Sequence, residues 1–409
     1  MTAFLHPFAR PTRTEWISIE RGEGAIVWDD QGRRYIDGFA SLWYCNIGHG
    51  RAEIADAVGR QLRELEAYHC FDRYTNPRAE ELCERLASLS PMARSRIFLT
   101  NSGSEAVDSA IKLARAAMFQ AGQQERTLIV SRTLAYHGVT FGGMSAQGLP
   151  ANKEGFGPLV QDILQVAHDD LAAVEALFAE EGDRVAAVLA EPVIGAGGIH
   201  PPAPGYLEGL RRLCDAYGAY LVLDEVICAF GRLGRWFGAE RYDIRPDMIT
   251  FAKGVSSGYQ PLGGVIVGPA VLDALEADPD YLLRHGHTYS GHPACAVAGL
   301  VNLDIVEREG LLARAEPIGE RLRAGLEGLR DDGLVNEVRG AGAMWAVRVP
   351  EHVDTAALVT AMLDRGVIGR ALGTDAYGFC PPLVIDDSDL DTCVEALRDA
   401  LRDSVHAVA

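Results

Sequence analysis

Two acids and a lysine stand at the ends of two short apolar runs. Asp224 and Glu225 follow the run Tyr220–Leu223, and Lys253 follows the run Met248–Ala252. Strands of parallel sheets are buried on both faces and are therefore continuously apolar. Ligands of such sheets bind beyond the carboxyl ends of the strands. We therefore expect a carboxylate and an amine to meet at one edge of a sheet.

A carboxylate beside an amine suits one kind of cofactor chemistry in particular. A lysine can form a Schiff base with the aldehyde of pyridoxal phosphate, while an acid keeps the ring nitrogen protonated so that the ring accepts electrons. Each residue alone is commonplace after a strand. The hypothesis therefore depends on what the rest of the chain supplies.

The order of apolar segments predicts an α/β fold with a three-layer α/β/α large domain, a mainly parallel sheet and a smaller α+β domain. From residue 96 onward, short apolar runs alternate with stretches of helical periodicity, which is typical of such sheets. We expect three regions: an N-terminal arm and meander at residues 1–47 that belongs to the small domain, the large domain at 48–295, and a C-terminal α+β unit at 296–409.

A strand–loop–helix junction at Thr100–Ala106 carries a glycine and two hydroxyls. The first amides of a helix are unpaired, and the helix dipole favours anions there. Gly103 would let the backbone approach a phosphate, and Ser104 could donate to one of its oxygens. The alternative is an ordinary serine N-cap with Glu105 completing a capping box. No Walker or dinucleotide-binding glycine pattern follows a strand, which argues against nucleotide binding.

Two further strand exits carry side chains that could serve a cofactor. Tyr136 stands before His137, and a tyrosine there can lay its ring on a flat cofactor, although a half-buried tyrosine is the commoner outcome. Glu191 ends another strand and would bring a third acid to the same edge. The alternative for Glu191 is a solvated loop acid.

Other catalytic classes lack their residues. Three histidines, His285, His287 and His292, lie close together, but no suitably spaced acid or cysteine set completes a metal site, so we predict no metal. No G-x-S-x-G elbow is present, which argues against a catalytic serine.

Composition limits the classes of partner and of cellular compartment that we expect for the protein. The 409 residues carry a net charge of −19, which argues against nucleic acid as a partner. No window of about eighteen uninterrupted apolar residues occurs, so no membrane span is expected. The eight cysteines form no C-x-x-C pair and the first residues lack a signal-peptide pattern, so we expect reduced thiols and a cytoplasmic location.

Seven motifs in one order resemble the class III aminotransferases, which are fold-type I pyridoxal phosphate enzymes. The resemblance runs from about residue 16 to 403, and the ordered set is far more specific than any single motif. Segments near Trp43, Glu191 and Arg370 are similar to the ω-amino acid and amine:pyruvate branch. The motifs are Asn101–Ala106, Tyr136–Gly138, Glu191–Pro192, Leu223–Arg235, Pro246–Gly254, Pro261–Gly264 and His287–Pro293.

The resemblance implies a role for each candidate residue. Lys253 would be the Schiff-base lysine and proton shuttle, and Asp224 would partner the ring nitrogen. Trp43, Tyr136 and Arg370 would face the substrate. The implied cofactor contacts are Gly103 and Ser104 on the phosphate, Thr288 on the neighbouring subunit's phosphate, Val226 under the ring, Tyr136 with the adjacent His137 over it, and Glu191 near the ring hydroxyl.

The implied activity is transfer of an amino group from an amine or ω-amino acid to a keto acid, with pyruvate expected, by a ping-pong mechanism in a homodimer. An aminomutase or racemase, and a class III aminotransferase using 2-oxoglutarate, stay open as alternatives. The intact Lys253, Asp224 and Arg370 argue against a non-catalytic regulator. Ala229 and Gly369 depart from the family pattern, and Arg370 is expected in a loop that can swing it to water.

Overall fold

The computed structural model describes residues 3–406. Residues 1–2 and 407–409, which belong to the predicted N-terminal and C-terminal regions, lie outside the described residues. The strands are β1 (Ile19–Glu23), β2 (Ile26–Asp29), β3 (Arg34–Asp37), β4 (Arg96–Thr100), β5 (Leu128–Arg132), β6 (Ile163–Val166), β7 (Val185–Ala190), β8 (Tyr220–Asp224), β9 (Met248–Phe251), β10 (Gly263–Val267), β11 (Glu337–Ala341), β12 (Met344–Arg348), β13 (Val367–Ile368), β14 (Arg370–Leu372) and β15 (Ala376–Phe379).

Helices fill the connections between most of these strands. They are α1 (Ala40–Trp43), α2 (Ala52–Glu64), α3 (Pro77–Leu89), α4 (Gly103–Gln120), α5 (Phe141–Ala146), α6 (Leu171–Glu181), α7 (Tyr206–Tyr217), α8 (Gly238–Arg241), α9 (Pro269–Leu275), α10 (Pro293–Arg308), α11 (Ala315–Asp331), α12 (Thr355–Asp364) and α13 (Asp387–His406).

The largest sheet has seven strands in the order β4-β10-β9-β8-β7-β5-β6. Strands β9, β8, β7, β5 and β6 pair in parallel, and β10 pairs antiparallel to both β4 and β9. Every residue of β7, β8 and β9 is buried, as continuously apolar strands between two layers require.

Separate apolar clusters cover the two faces of this sheet. On one face α4 packs Ala110 and Ala114 with Val222 of β8 and Val265 of β10. On the other face α3 and α7 contribute to a cluster that includes Leu210. The predicted three-layer α/β/α architecture with a mainly parallel sheet is therefore confirmed.

Strand β10 was absent from the sequence prediction, because its segment begins with two glycines and reads as a turn. In the structure, both positions need glycine because neighbouring atoms lie too close for a side chain. A Cβ atom at Gly263 would lie 2.8 Å from the Ser102 carbonyl oxygen, and one at Gly264 would lie 2.6 Å from Cζ of Phe251.

Two smaller sheets complete the fold, in the orders β1-β2-β3-β13 and β11-β12-β15-β14. Strand β13 pairs in parallel with β3, so the N-terminal meander shares a sheet with a C-terminal segment. The domain boundaries given above stay predictions.

The predicted loop around Arg370 was wrong. Arg370 opens β14, which pairs antiparallel with β15 and places Arg370 opposite Gly378. The segment is only three residues long and is bordered by glycines, so its sequence resembles a loop, while pairing with the buried strand β15 makes it a strand. Within residues 3–406, no helix is long and apolar enough to cross a membrane.

Candidate active site

Asp224 and Lys253 come from neighbouring strands of the large sheet. Strands β8 and β9 run in parallel, and their register places Asp224 beside Thr250. Lys253 follows three residues later, at the start of a short 3-10 turn, with a left-handed φ of 46°. Such a backbone is unfavourable for a lysine and is typical of functional positions. The two side chains reach the same edge of the sheet, as the sequence predicted.

Three donors hold the buried Asp224 carboxylate. Oδ2 lies 2.7 Å from Nδ1 of His137, and Oδ1 accepts from the Thr250 hydroxyl at 2.9 Å and the Val226 amide at 3.1 Å. Nε2 of His137 has no hydrogen-bond partner among residues 3–406, so a neutral ring can carry its proton on Nδ1 facing Asp224. This arrangement fixes the orientation of the carboxylate.

Burial lowers the pKa of Lys253, and the charges of Asp224 and Glu191 oppose that shift. The positive charge of Arg370 adds a smaller lowering contribution to the pKa of Lys253. A lowered pKa increases the fraction of neutral amine, which is the nucleophilic form.

Glu191 is buried rather than solvated, so the loop-acid alternative does not hold. Its Oε1 accepts from the Tyr136 amide at 3.0 Å, and its Oε2 accepts from the Gly195 amide at 2.9 Å. Burial raises the pKa of Glu191, and nearby His137 opposes that shift. The carboxyl group thus fixes the backbone at Tyr136 beside the cavity.

The amino end of α4 is capped by Ser102 rather than Ser104. The Ser102 hydroxyl accepts from the Glu105 amide at 3.2 Å, and Oε2 of Glu105 accepts from the Asn101 amide at 2.7 Å. The serine N-cap that the sequence left as an alternative is therefore present, but the Glu105 carboxylate accepts from the amide before Ser102 and not from the Ser102 amide of a capping box. This cap leaves the amides of Gly103 and Ser104 in the first helical turn available to an anion.

One cavity of about 410 Å³ joins these groups. It brings together most of the residues that the sequence singled out as site candidates. The candidates that line the cavity are Gly103, Ser104, Tyr136, His137, Glu191, Asp224, Val226 and Lys253.

Three predicted residues do not line this cavity within one subunit. Trp43 is 3% exposed and packs edge-on against Phe39 with ring centroids 4.3 Å apart. Thr288 is exposed on the loop before α10, and Arg370 is exposed at the start of β14.

Thr250 and Tyr44 are two of the residues at the site that the sequence analysis missed. Thr250 is the lone polar residue in the run that forms β9, and that interruption was a usable signal. Tyr44 lines the cavity beside Gly258 but follows Trp43 directly, and no pattern distinguished the two aromatic residues.

The residues present fit a flat, phosphorylated aldehyde. A Cβ atom at Gly103 would lie 2.9 Å from Cγ1 of Val226, and one at Gly138 would lie 2.5 Å from Oγ of Ser104. These two glycines keep the backbone close around the α4 amino end. An amine, a carboxylate and free helix amides therefore surround one space with the donor set that pyridoxal phosphate requires.

The histidines near residue 290 contact other side chains. Nε2 of His285 lies 2.9 Å from the Ser109 hydroxyl, and Nδ1 of His285 lies 2.9 Å from Nζ of Lys112. In the described part of the chain, no group of three or more histidine, cysteine, aspartate or glutamate side chains could hold a metal ion.

Comparison with known proteins agrees with this geometry. The family model "Aminotransferase class-III" matches residues 8–401. The putrescine–pyruvate aminotransferase of Pseudomonas aeruginosa is 34% identical, over 95% of this chain and 91% of the relative. The diaminobutyrate–2-oxoglutarate transaminase of Halomonas elongata is 35% identical, over 94% and 89%. A solved (S)-enantioselective omega-transaminase from Thermomicrobium roseum is 38% identical, with a TM-score of 0.94 over 98% of this chain and 96% of that one.

The chain is a member of the class III aminotransferases, a family of pyridoxal phosphate-dependent enzymes that act on small amines and keto acids. Among its relatives and structural neighbours are omega-transaminases.

Proposed function

We propose that this protein is a pyridoxal phosphate-dependent omega-transaminase that uses pyruvate as amino acceptor in a ping-pong mechanism. The observation that carries the proposal is that Asp224 and Lys253 line one cavity with the amino end of α4. When bound there, the cofactor supplies an electron sink for the carbon that loses its proton. The remaining chemistry belongs to the residues of this chain.

Lys253 would hold the cofactor aldehyde and move a proton between the donor carbon and the cofactor carbon. Its lowered pKa increases the fraction of neutral Nζ, which is the form that can act as a base. Asp224 would hold the ring nitrogen in its protonated form, because three donors fix its carboxylate.

The phosphate would sit on the amides of Gly103 and Ser104. Val226 would lie under the ring and Tyr136 over it, with Glu191 near the ring hydroxyl. Support comes from the close approach of Val226 to Gly103 and from the hydrogen bond that the Tyr136 amide donates to the Glu191 carboxylate.

We also propose a homodimer in which Thr288 reaches the neighbouring subunit's phosphate. Thr288 is exposed, and the adjacent Tyr289 is 64% exposed. The segments 70–75 and 283–291 also carry the exposed aromatic side chains Phe71, Tyr74 and Tyr289. A group of exposed aromatic side chains is typical of a subunit contact.

Arg370 would take the carboxylate of the keto acid, and Trp43 would present an apolar wall to the amine. The Arg370 guanidinium has no ion-pair partner among residues 3–406 and lies close enough to influence the pKa of Tyr136, which burial chiefly raises. A guanidinium binds a carboxylate through two parallel hydrogen bonds.

A screen of amine donors against pyruvate, 2-oxoglutarate and no acceptor tests the proposal. Amine-dependent alanine formation with pyruvate is the expected result. Faster turnover with 2-oxoglutarate would show that 2-oxoglutarate is the preferred acceptor, and the reaction would still be a transamination. Continuous turnover to a rearranged or racemised amine without any acceptor would indicate an aminomutase or racemase instead.

A further inference from the structure

Gly369 precedes Arg370, and neighbouring atoms leave no room for a larger residue there. Its backbone conformation does not itself require glycine. Its φ does not lie in the left-handed region that favours glycine. A Cβ atom at this position would lie 2.6 Å from Cε1 and 2.7 Å from Cζ of Tyr377, and closer still to the phenol oxygen. Contacts of that length force a neighbour to move. Gly369 departs from the family pattern, and the Tyr377 ring occupies the space that a side chain at this position would need.

Tyr377 fills this space from the neighbouring strand. It lies on β15 opposite Ala371 and is fully buried in the apolar core. Its hydroxyl has no hydrogen-bond partner within the described residues. A buried hydroxyl without a partner reduces stability. Tyr377 therefore acts on Gly369 chiefly through the volume of its ring.

A second glycine stands directly across the sheet from Arg370. A Cβ atom at Gly378 would lie 2.8 Å from Cδ1 of Leu372 and 3.2 Å from Cδ1 of Ile199. Gly378 also has a φ outside the left-handed region. Arg370 is therefore flanked by two glycines, each closely enclosed by the side chains of other residues.

We infer that Tyr377 is a positioning residue for Arg370: its ring packs on Gly369, fixes the first residues of β14, and thereby sets where the Arg370 guanidinium meets a substrate carboxylate. This inference rests on the carboxylate-binding role proposed for Arg370. Gly369 and Tyr377 lie outside the cavity. If they position Arg370, the affinity for a substrate carboxylate depends on the combined volume of the side chains at these two positions.

The test is Gly369→Ala, measured in the holoenzyme. The added methyl displaces the start of β14, so the KM for pyruvate rises roughly tenfold, within the range expected for a misplacement of about 1 Å. The KM for an amine without a carboxylate changes less than about twofold, since that substrate needs no guanidinium. Gly59→Ala is the control, because a Cβ atom there meets only the Arg63 guanidinium, at 3.7 Å.

Two variants at position 377 separate ring volume from hydrogen bonding. Tyr377→Phe keeps the ring and leaves the pyruvate KM unchanged, and it does not rescue Gly369→Ala. Tyr377→Leu makes room for the methyl, so Gly369→Ala/Tyr377→Leu recovers the wild-type pyruvate KM. If Gly369→Ala alone fails to fold, the same double variant decides the question. A double variant as impaired as the single one overturns the inference.

Arg370→Ala is measured in the same assay to separate the two proposals. If Arg370→Ala binds pyruvate normally, the carboxylate role is wrong and the positioning inference is wrong with it. If Arg370→Ala is impaired while Gly369→Ala is normal, only the positioning inference is overturned. Equal increases in the KM of amine and pyruvate in Gly369→Ala also contradict it.

Discussion

Nδ1 of His137 lies 2.7 Å from Oδ2 of Asp224, and both side chains are almost completely buried. The two residues come from different segments, the loop after β5 and the end of β8. Their contact leaves Asp224 with a fixed orientation at the floor of the cavity. A carboxylate held in this way can keep a cofactor ring nitrogen protonated through a catalytic cycle.

Asp224→Asn tests that role. An amide cannot hold the ring nitrogen protonated, so we expect the variant to retain cofactor but to lose on the order of 10²–10³-fold in single-turnover rate, as for loss of a preorganised charge contact. The rates are compared at saturating cofactor. Equal rates in variant and parent would remove Asp224 from the mechanism.

Lys253→Ala tests the covalent attachment. The sequence has three lysines, Lys112, Lys153 and Lys253, so the lysine that carries the cofactor can be identified from peptide masses. Borohydride reduction should attach the cofactor to the peptide containing Lys253 in the parent and leave the variant unlabelled. Turnover should fall by at least about 10²–10⁴-fold, the contribution of a positioned acid–base group. Lys153→Arg is the control, and label on Lys153 would contradict the assignment.

Gly138→Ala tests how tightly the backbone encloses the α4 amino end. Gly138 has a φ of 95°, and its added Cβ atom would lie 2.7 Å from Cα of Ser104. Gly155 has a similar φ of 82° but open space around it, so Gly155→Ala shares the backbone strain without the contact. We expect Gly138→Ala to lose about 1–3 kcal/mol more in the free energy of unfolding than Gly155→Ala. Its cofactor affinity should also fall, measured by titration of the apoprotein. Matching values in the two variants would show that the contact is unimportant.

Glu225 gives the protein a pH-dependent stability. Burial raises the pKa of this carboxyl from 4.5 to about 8, against the opposing hydrogen bonds from the Ala239 and Gly238 amides. The folded state therefore binds the proton more tightly than the unfolded state, and unfolding releases it between pH 4.5 and 8. This contribution is fully present below pH 4.5 and is lost as pH rises to about 8.

Glu225→Gln should remove that pH dependence. The measurement is the thermal midpoint of parent and variant at several pH values from 5 to 8. The difference between the two should shift in favour of the variant as pH rises. A difference that stays constant across this range would show that Glu225 is ionised throughout.

Arg370→Ala should affect one half-reaction more than the other. Amination of pyruvate should weaken by roughly 1.5–3 kcal/mol, the range for hydrogen bonds to a charged group. Deamination of an amine without a carboxylate should change little. The two half-reactions are followed separately in rapid-mixing experiments. Equal losses in both, or none in either, would contradict recognition of two substrate classes in one pocket.

The parallel strands and the residues at their ends could be predicted from sequence because they depend on local pattern. Asp224 and Lys253 each end a continuous apolar run, and the carboxyl ends of such runs must share one edge. The N-cap at Ser102 could likewise be predicted from local sequence, because a serine stands just before the apolar helix.

Other features depend on contacts between distant segments and left no local signal. Strand β10 is held by antiparallel pairing with two neighbours, and its opening glycines are needed because Ser102, Phe98 and Phe251 lie close to them. The strand at Arg370 exists because β15 lies beside it. Pairing of this kind cannot be seen in three residues of sequence.

The central claim is that the protein transfers an amino group in two separable half-reactions. The most direct measurement mixes the holoenzyme with an amine and no acceptor, removes the released carbonyl product, and then adds pyruvate. We predict one equivalent of carbonyl product per active site in the first step and one equivalent of alanine in the second, with neither formed by Lys253→Ala. Continuous turnover of the amine without pyruvate, or no alanine after its addition, would contradict the account.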